Sequence, residues 1–396
     1  MSNWIQEVLS CTAESESPER YFYWAAVSAI SAVCRRNVWL DRFFYTLYPN
    51  TFTLLIGPSG LKKSVPIGFA EKLVRMTDST RVYSGRGSIQ GIIKDLSKVY
   101  THKSKNTSSD AKCFLVSSEF DAMLVSDEHA YSLITDLYDT HLKDEWRNII
   151  KGAGTDELKN IYMTILGASN EENLNIALPK TALRGGFVAR TMIIFEESEK
   201  CINPLTHAPK IRPNFEKLSE RLIKISSLSG QFLWDDNAIK IYELWYEQLK
   251  RVQKTDQTGT LNRLHDTVLK VAMCLSLADK DDLILEQHNI EEAILNCENN
   301  IAGMKRVFLG HGRHPMADAN AMVMKILLNR AGHRVTRKSL LSQLYGIADA
   351  VDLDRIIDTL SQSGAIVSDR EGNETGYTMP KEIAAKYTTI QRKLNE

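Results

Sequence analysis

The sequence has no net charge, with 49 Lys and Arg against 49 Asp and Glu. A protein that grips nucleic acid by overall basicity is thereby excluded, and any such contact has to come from local patches. Paired cysteines are lacking too. The six cysteines (Cys11, Cys34, Cys113, Cys201, Cys274, Cys297) stand far apart, with no CxxC or Cys/His cluster. That spacing argues against a metal site or a disulfide framework, and it fits a reducing cytoplasm. No run is long and apolar enough to span a bilayer; the most apolar early stretch, Tyr21 to Val33, is short and broken by serines. The first residues lack a basic region followed by an apolar one, so a signal peptide is not expected. No internal repeat is present. What is there is ordinary globular composition, 43% hydrophobic and 25% charged over 396 residues, enough for two domains.

Along the chain, a helical pattern runs from Pro18 and Glu19 to about Arg36, closing an N-terminal helical segment over residues 1–36. A strand pair, Val38–Leu40 with Thr51–Ile56, is expected around Pro49-Asn50. Helices follow to about Met76 and over Ser88–Tyr100, then a polar tract from His102 to Lys112 that reads as a loop. Short apolar strands are expected at Cys113–Ser117, Ile161–Gly167 and Thr191–Phe195. Alternating buried strands and helices over residues 37–212 predict an α/β fold with a parallel sheet. Residues 213–310 read as helical throughout, His311–Ala319 as a linker, and 318–396 as a separate small domain.

The strand ending at Ile56 runs into Gly57-Pro58-Ser59-Gly60-Leu61-Lys62-Lys63-Ser64, which resembles the phosphate-binding consensus G-x-x-x-x-G-K-[ST]. Backbone amides of such a loop wrap phosphates at a helix N-terminus. Lys63 is expected to reach the terminal phosphates of ATP and the Ser64 hydroxyl to bind Mg²⁺. Lys62 departs from the pattern, because glycine usually precedes the lysine. Beyond strand Cys113–Val116, Ser117-Ser118-Glu119 resembles a Walker B segment, in which Glu119 polarises the attacking water and helps hold Mg²⁺ through water. Ser118 stands where an aspartate is expected, and Asp121 is a weaker candidate acid. Asn170 ends the next strand and fits an amide that orients the lytic water; its plain alternative is a turn residue. Arg190, ahead of Thr191–Phe195, fits an arginine that reaches a neighbouring subunit's nucleotide, with Arg184 as the alternative. Arg263 opens a later helix, where an arginine of the lid reaches the nucleotide.

This order of parts resembles the AAA+ ATPases of the minichromosome-maintenance kind. Tyr23-Trp24-Ala25-Ala26, GPSGLKKS, FLVSSE and GGFVAR resemble more closely a family of phage and mobile-element replication ATPases. The resemblance covers roughly residues 19–300. It implies an AAA+ P-loop core with a helical lid, in a homo-oligomeric ring, a hexamer by that likeness alone, moving on single-stranded DNA by hydrolysing ATP as a helicase, with a primase encoded separately. Nucleotide-dependent initiators or helicase-loading scaffolds with weak hydrolysis are the alternative, which Lys62 and Ser118 favour.

Residues 320–380 read as three helices and two strands, Ala365–Ser368 and Gly376–Met379, around a polar wing from Asp369 to Thr375, the order of a winged helix. Asp352, Asp354 and Asp358 on the third helix oppose entry into a major groove. Basic residues gather instead at Arg330, His333, Arg334, Arg337 and Lys338. A better DNA-contacting candidate is the stretch Trp146 to Gly152, expected as a hairpin whose Arg147 and Lys151 track phosphates. Its alternative is a surface hairpin with Trp146 packed inward.

Overall fold

A computed structural model describes residues 3–385, apart from 86, 98–109, 126–128, 140–144, 151–153, 179–185, 203–211, 253–258, 309–316, 345–347 and 373. The chain divides into two compact units, Met1–Gly310 and His311–Glu396.

The first unit is built on a mostly parallel sheet. Its strands are β3 (Phe52–Ile56), β4 (Arg81–Ser84), β5 (Asp110–Ser117), β7 (Gly154–Ser169) and β8 (Thr191–Phe195), in the order β4-β5-β7-β3-β8. All neighbours on that path run parallel, and β6 (Glu145–Ile150) adds antiparallel to the long β7. Side chains alternate between two cores. Phe52, Leu54 and Ile56 face one, Leu55 the other; Cys113 and Leu115 share the first face, Phe114 and Val116 the second. A parallel sheet covered on both faces needs such continuously apolar strands.

The helix Glu19–Cys34 lies in the second core, buried on every side from Tyr21 to Cys34. Its serines explain how a nearly all-apolar helix can lie against a sheet. Ser28 Oγ donates to Thr53 Oγ1 (3.2 Å), and Ser31 Oγ pairs with Thr164 Oγ1 (2.9 Å) and accepts from the Thr51 amide (3.1 Å). Buried hydroxyls are thus satisfied across the helix–sheet contact. The helices Phe215–Ser227, Asp236–Val252, Thr260–Asp279 and Gln287–Phe308 contribute to the same core as that helix, so the segments 1–36 and 213–310 pack as one body with the sheet.

The expected pairing of Val38–Leu40 with Thr51–Ile56 is corrected. β1 (Val38–Asp41) pairs antiparallel with β2 (Thr46–Leu47) and parallel with β9 (Gly230–Gln231), while β3 belongs to the central sheet. The true turn lies at residues 42–45; Pro49-Asn50 instead leads into the sheet. Region 213–310 also holds short strands, β9, β10 (Leu233–Trp234) and β11 (Ile284–Leu285). Among the described residues no helix is long and apolar enough to cross a membrane.

The second unit has helices Ala317–Asn329, Arg337–Gln343 and Ala350–Gln362 and a three-stranded antiparallel sheet. Its strands are β12 (Val335–Thr336), β13 (Val367–Glu371) and β14 (Glu374–Thr378), in the order β12-β14-β13. The polar wing expected from Asp369 to Thr375 is mostly paired strand, with Gly372 in left-handed backbone at φ +61°. Asp352 and Asp354 of the third helix have structural partners. Asp349 and Asp352 form a capping box, and Asp354 accepts two bonds from Arg337 (3.0 and 2.9 Å). Arg334 pairs with Asp369 (2.6 Å) and donates to the Glu374 carbonyl (2.9 Å). Two cations of the basic cluster are therefore engaged within the unit.

Candidate functional site

The loop from Gly57 to Ser64 leaves the C-terminal end of β3, a middle strand, and enters the helix Ser64–Thr77. Parallel sheets bind ligands at this edge, where connections from neighbouring strands diverge. Gly57 is required by close approach: a Cβ there would lie 2.4 Å from the Glu196 carbonyl oxygen and 2.7 Å from the Tyr21 hydroxyl. Tyr21 donates that hydroxyl to the Ile56 carbonyl (2.7 Å), which pins the strand end. Burial and the nearby Glu196 push the Tyr21 phenol up, so it remains a donor.

Gly60, by contrast, has φ +92° and open space around it. The amides of Gly60, Lys62 and Lys63 have no acceptor among the described residues. Left-handed backbone, open space and unbonded amides make a concavity suited to an anion.

Lys62 also adopts left-handed backbone, φ +51°, where glycine would be at ease. Its side chain turns away from the loop and pairs with Glu16, and its carbonyl accepts from Ser17 Oγ (3.1 Å). The side chain that departs from the pattern is thus held by the N-terminal segment. Lys63 Nζ donates to the carbonyls of Gly57 (2.6 Å) and Pro58 (2.7 Å), holding its ammonium across the loop. Burial lowers its pKa, and Asp121 opposes that shift.

Grooves open on both sides of the loop. One, of about 830 Å³, is lined by Ser64, Glu71, Ser88, Ser117, Ser118 and Glu119 among others. Ser64 and Glu119, expected to share Mg²⁺, are therefore brought to one groove. The other, of about 500 Å³, is lined by Gly57, Pro58, Ser59, Asn170, Glu171, Glu172 and Glu197 among others. Asn170 reaches it because β7 is inserted between β5 and β3. Its Oδ1 accepts from the Asn173 amide (2.7 Å), so it caps a helix, as the turn alternative has it, while lining the groove. Asp121 accepts from Ser169 Oγ (2.6 Å) and is tied to the sheet edge.

The two arginines are placed elsewhere, and this is a correction. Arg190 directly precedes β8, so it lies at the opposite, N-terminal edge of the sheet. A five-residue strand puts about 13 Å between its own ends, which removes Arg190 from its own loop. It is 9% exposed and donates to Asp139 (2.5 and 3.3 Å) and to the Gly186 carbonyl (2.9 Å), as a buried ion pair does. It does not project outward. Arg263 is not aimed at the loop of its own chain either; it lies 3.5 Å from the same Asp139, yet its side chain is 39% exposed. Of the two, Arg263 is the one turned partly to solvent. Arg184 lies outside the described residues.

The hairpin of β6 and β7 exists as expected. Trp146 packs inward and bonds Asp136, while Arg147 is held by Glu157 (2.7 Å) and Glu145 (3.8 Å). Lys151 lies outside the described residues. A cation so paired is a weaker phosphate contact than its sequence position suggested.

Sequence reading missed the residues that brace the loop, Glu16, Ser17, Tyr21 and Glu196, and the carboxylate of Asp139 that gathers both arginines. They act across 35 or more positions of sequence, and no local spacing signals them. No protein-family model matches the chain, and no curated protein matches it.

Proposed function

We propose that this chain is a P-loop ATPase of the AAA+ type that acts on DNA, with a winged helix as its second unit. One observation carries the reading: an open amide-lined loop at the C-terminal end of a middle parallel strand, with Glu119 beyond the end of β5 and Asn170 beyond the end of β7 lining the grooves beside it. In this reading the loop amides and Lys63 bind the triphosphate of ATP. Ser64 and, through water, Glu119 hold Mg²⁺, and Glu119 with Asn170 orients the attacking water. Arg190 and Arg263 stand at the opposite edge of the sheet from their own chain's loop, and in this reading Arg263 of a neighbouring subunit meets the charge developing on the transferred phosphoryl group. A homo-oligomeric ring, a hexamer by resemblance, supplies that neighbour, and single-stranded DNA is the polymer it moves along. A helicase or translocase in phage or mobile-element replication, working beside a separate primase, is the corresponding role.

The test is steady-state ATP turnover with and without single-stranded DNA. DNA-stimulated turnover that disappears in Lys63→Ala and Glu119→Gln is the expected result. Unchanged turnover in Lys63→Ala would remove the loop from the chemistry. A second reading, a nucleotide-dependent initiator or loading scaffold, is favoured by Ser118 in place of an acid and by the engagement of Asp121 with Ser169. It predicts tight ATP binding with negligible turnover.

A further inference from the structure

The turn that joins β1 to β2 carries two phenylalanines almost wholly in solvent, Phe43 at 96% and Phe44 at 98% exposure. Neither hangs on slack chain. The Phe44 amide donates to the Arg42 carbonyl (2.7 Å), closing a three-residue turn around Phe43, whose φ is +62°. A bulky side chain avoids that left-handed backbone, and a γ-turn of this hand is rare and strained. The Asp41 carboxylate accepts from the Phe43 amide (2.9 Å), and the Arg42 amide donates to the Tyr45 carbonyl (2.9 Å). The base of the turn is fixed to the helices: Tyr45 Oη donates to Asp266 (2.7 Å), and the Arg42 guanidinium lies 5.4 Å from the centre of the Tyr242 ring. Strain maintained to present two bare rings at a braced tip marks a surface that is covered in the working state.

The chemistry around the tip selects what covers it. Nucleic acid would need cations aimed at its phosphates, but Arg42 is engaged with Tyr242 and Asp41 places a carboxylate in the turn. Through Tyr45 and Asp266 the tip is bonded to the helix Thr260–Asp279, which also carries the partly exposed Arg263. This is the sheet edge opposite the phosphate loop. The loop's edge has complementary character: Glu171 and Glu172 line its groove, and Val125 and Ile176 are exposed aliphatics (66% and 73%) on the adjacent helices Phe120–Val125 and Glu171–Ala177. Aromatic knob and cation at one end, aliphatic patch and carboxylates at the other, cannot meet within one chain. They match between two copies in head-to-tail contact.

We propose that the Phe43–Phe44 tip docks on a second copy of this chain, against Val125 and Ile176 beside that copy's phosphate loop. The contact would bring Arg263 toward the neighbour's nucleotide; that consequence, though not the contact, rests on the function proposed above.

Sedimentation velocity of the full chain, with and without ATP, tests it. Phe43→Gly/Phe44→Ser relieves the backbone strain, so its thermal unfolding stays at or above that of the parent, while association weakens about thirty-fold or more, as loss of an interface anchor does. Ile176→Asp produces the same loss from the other side. Mixing the two variants yields dimers and nothing larger, because each mixed pair retains one intact contact and has no free end to extend. Binding of a fluorescent ATP analogue by the tip variant is unchanged; absence of nucleotide binding by the parent chain defeats the ATPase reading and leaves the docking result standing. A parent chain that stays monomeric at every concentration overturns the proposal. So do variants that assemble as the parent does, or a tip variant that loses only single-stranded DNA binding.

Discussion

Replacing Lys270 by methionine separates the pH dependence of one buried amine from that of the rest of the fold. Lys270 is completely enclosed; its ammonium donates to Asn50 Oδ1 (2.7 Å) and sits 3.7 Å from the centre of the Tyr138 ring. Burial lowers its pKa from 10.5 to about 7, with Asp266 and Asp139 opposing the shift and Arg190 and Arg263 adding to it. Between these two values the unfolded chain holds the proton more firmly than the folded one, so stability rises with pH across that window. At pH 7 the folded amine is half protonated and the unfolded one wholly so; by pH 9 the folded amine is neutral. Integrating the difference gives about 2 kcal/mol gained between pH 7 and pH 9. Burial of Cys34, Cys113, Cys274 and Cys297 raises their thiol pKa values and pulls the other way as pH approaches 9. His265, whose pKa burial lowers from 6.5, acts only below this window. The comparison is therefore with Lys270→Met, which keeps the contributions of Cys34, Cys113 and Cys297, whereas Cys274 also loses the opposing pull of the Lys270 charge. Urea unfolding followed by tryptophan fluorescence at the two pH values should show the parent chain gaining about 2 kcal/mol relative to the variant. Parallel pH profiles in the two proteins would refute the assignment of that proton to Lys270.

Gly57→Ala forces a Cβ to 2.4 Å from the Glu196 carbonyl, so the loop must shift. We expect a loss of about 1–3 kcal/mol of stability and at least a tenfold weaker affinity for a fluorescent ATP analogue in titration. Asp139→Ala strands the buried guanidinium of Arg190, which keeps the Gly186 carbonyl and the Tyr138 ring but no carboxylate. The expected cost is about 3–5 kcal/mol in denaturant unfolding, and a change below 1 kcal/mol would mean that water or another group replaces the carboxylate.

Much of the architecture was legible because it is local. The apolar runs Cys113–Val116 and Thr191–Phe195 are strands, as short, continuously apolar runs of strand length covered on both faces of a parallel sheet are. The loop after Ile56 was legible for the same reason: its glycines, lysine and serine are contiguous, and the strand before and helix after them follow from their own side chains. β1 was assigned a strand but the wrong partner, because pairing depends on which edges remain free after the sheet assembles. Arg190 and Arg263 were each read by analogy of position, and neither position carries the information that Asp139 claims both.

The sequence by itself determined the strand and helix segments, the conformational freedom at Gly60, and the chemical types able to meet phosphate and metal. Tertiary structure alone decided that β7 lies between β5 and β3, which carries Asn170 to the loop, and that Lys62 turns to Glu16. It also decided that both arginines stand at the far edge of the sheet. Propensity and periodicity act over a few residues, whereas strand order and ion pairing are settled by contacts between segments that meet only when the two cores close.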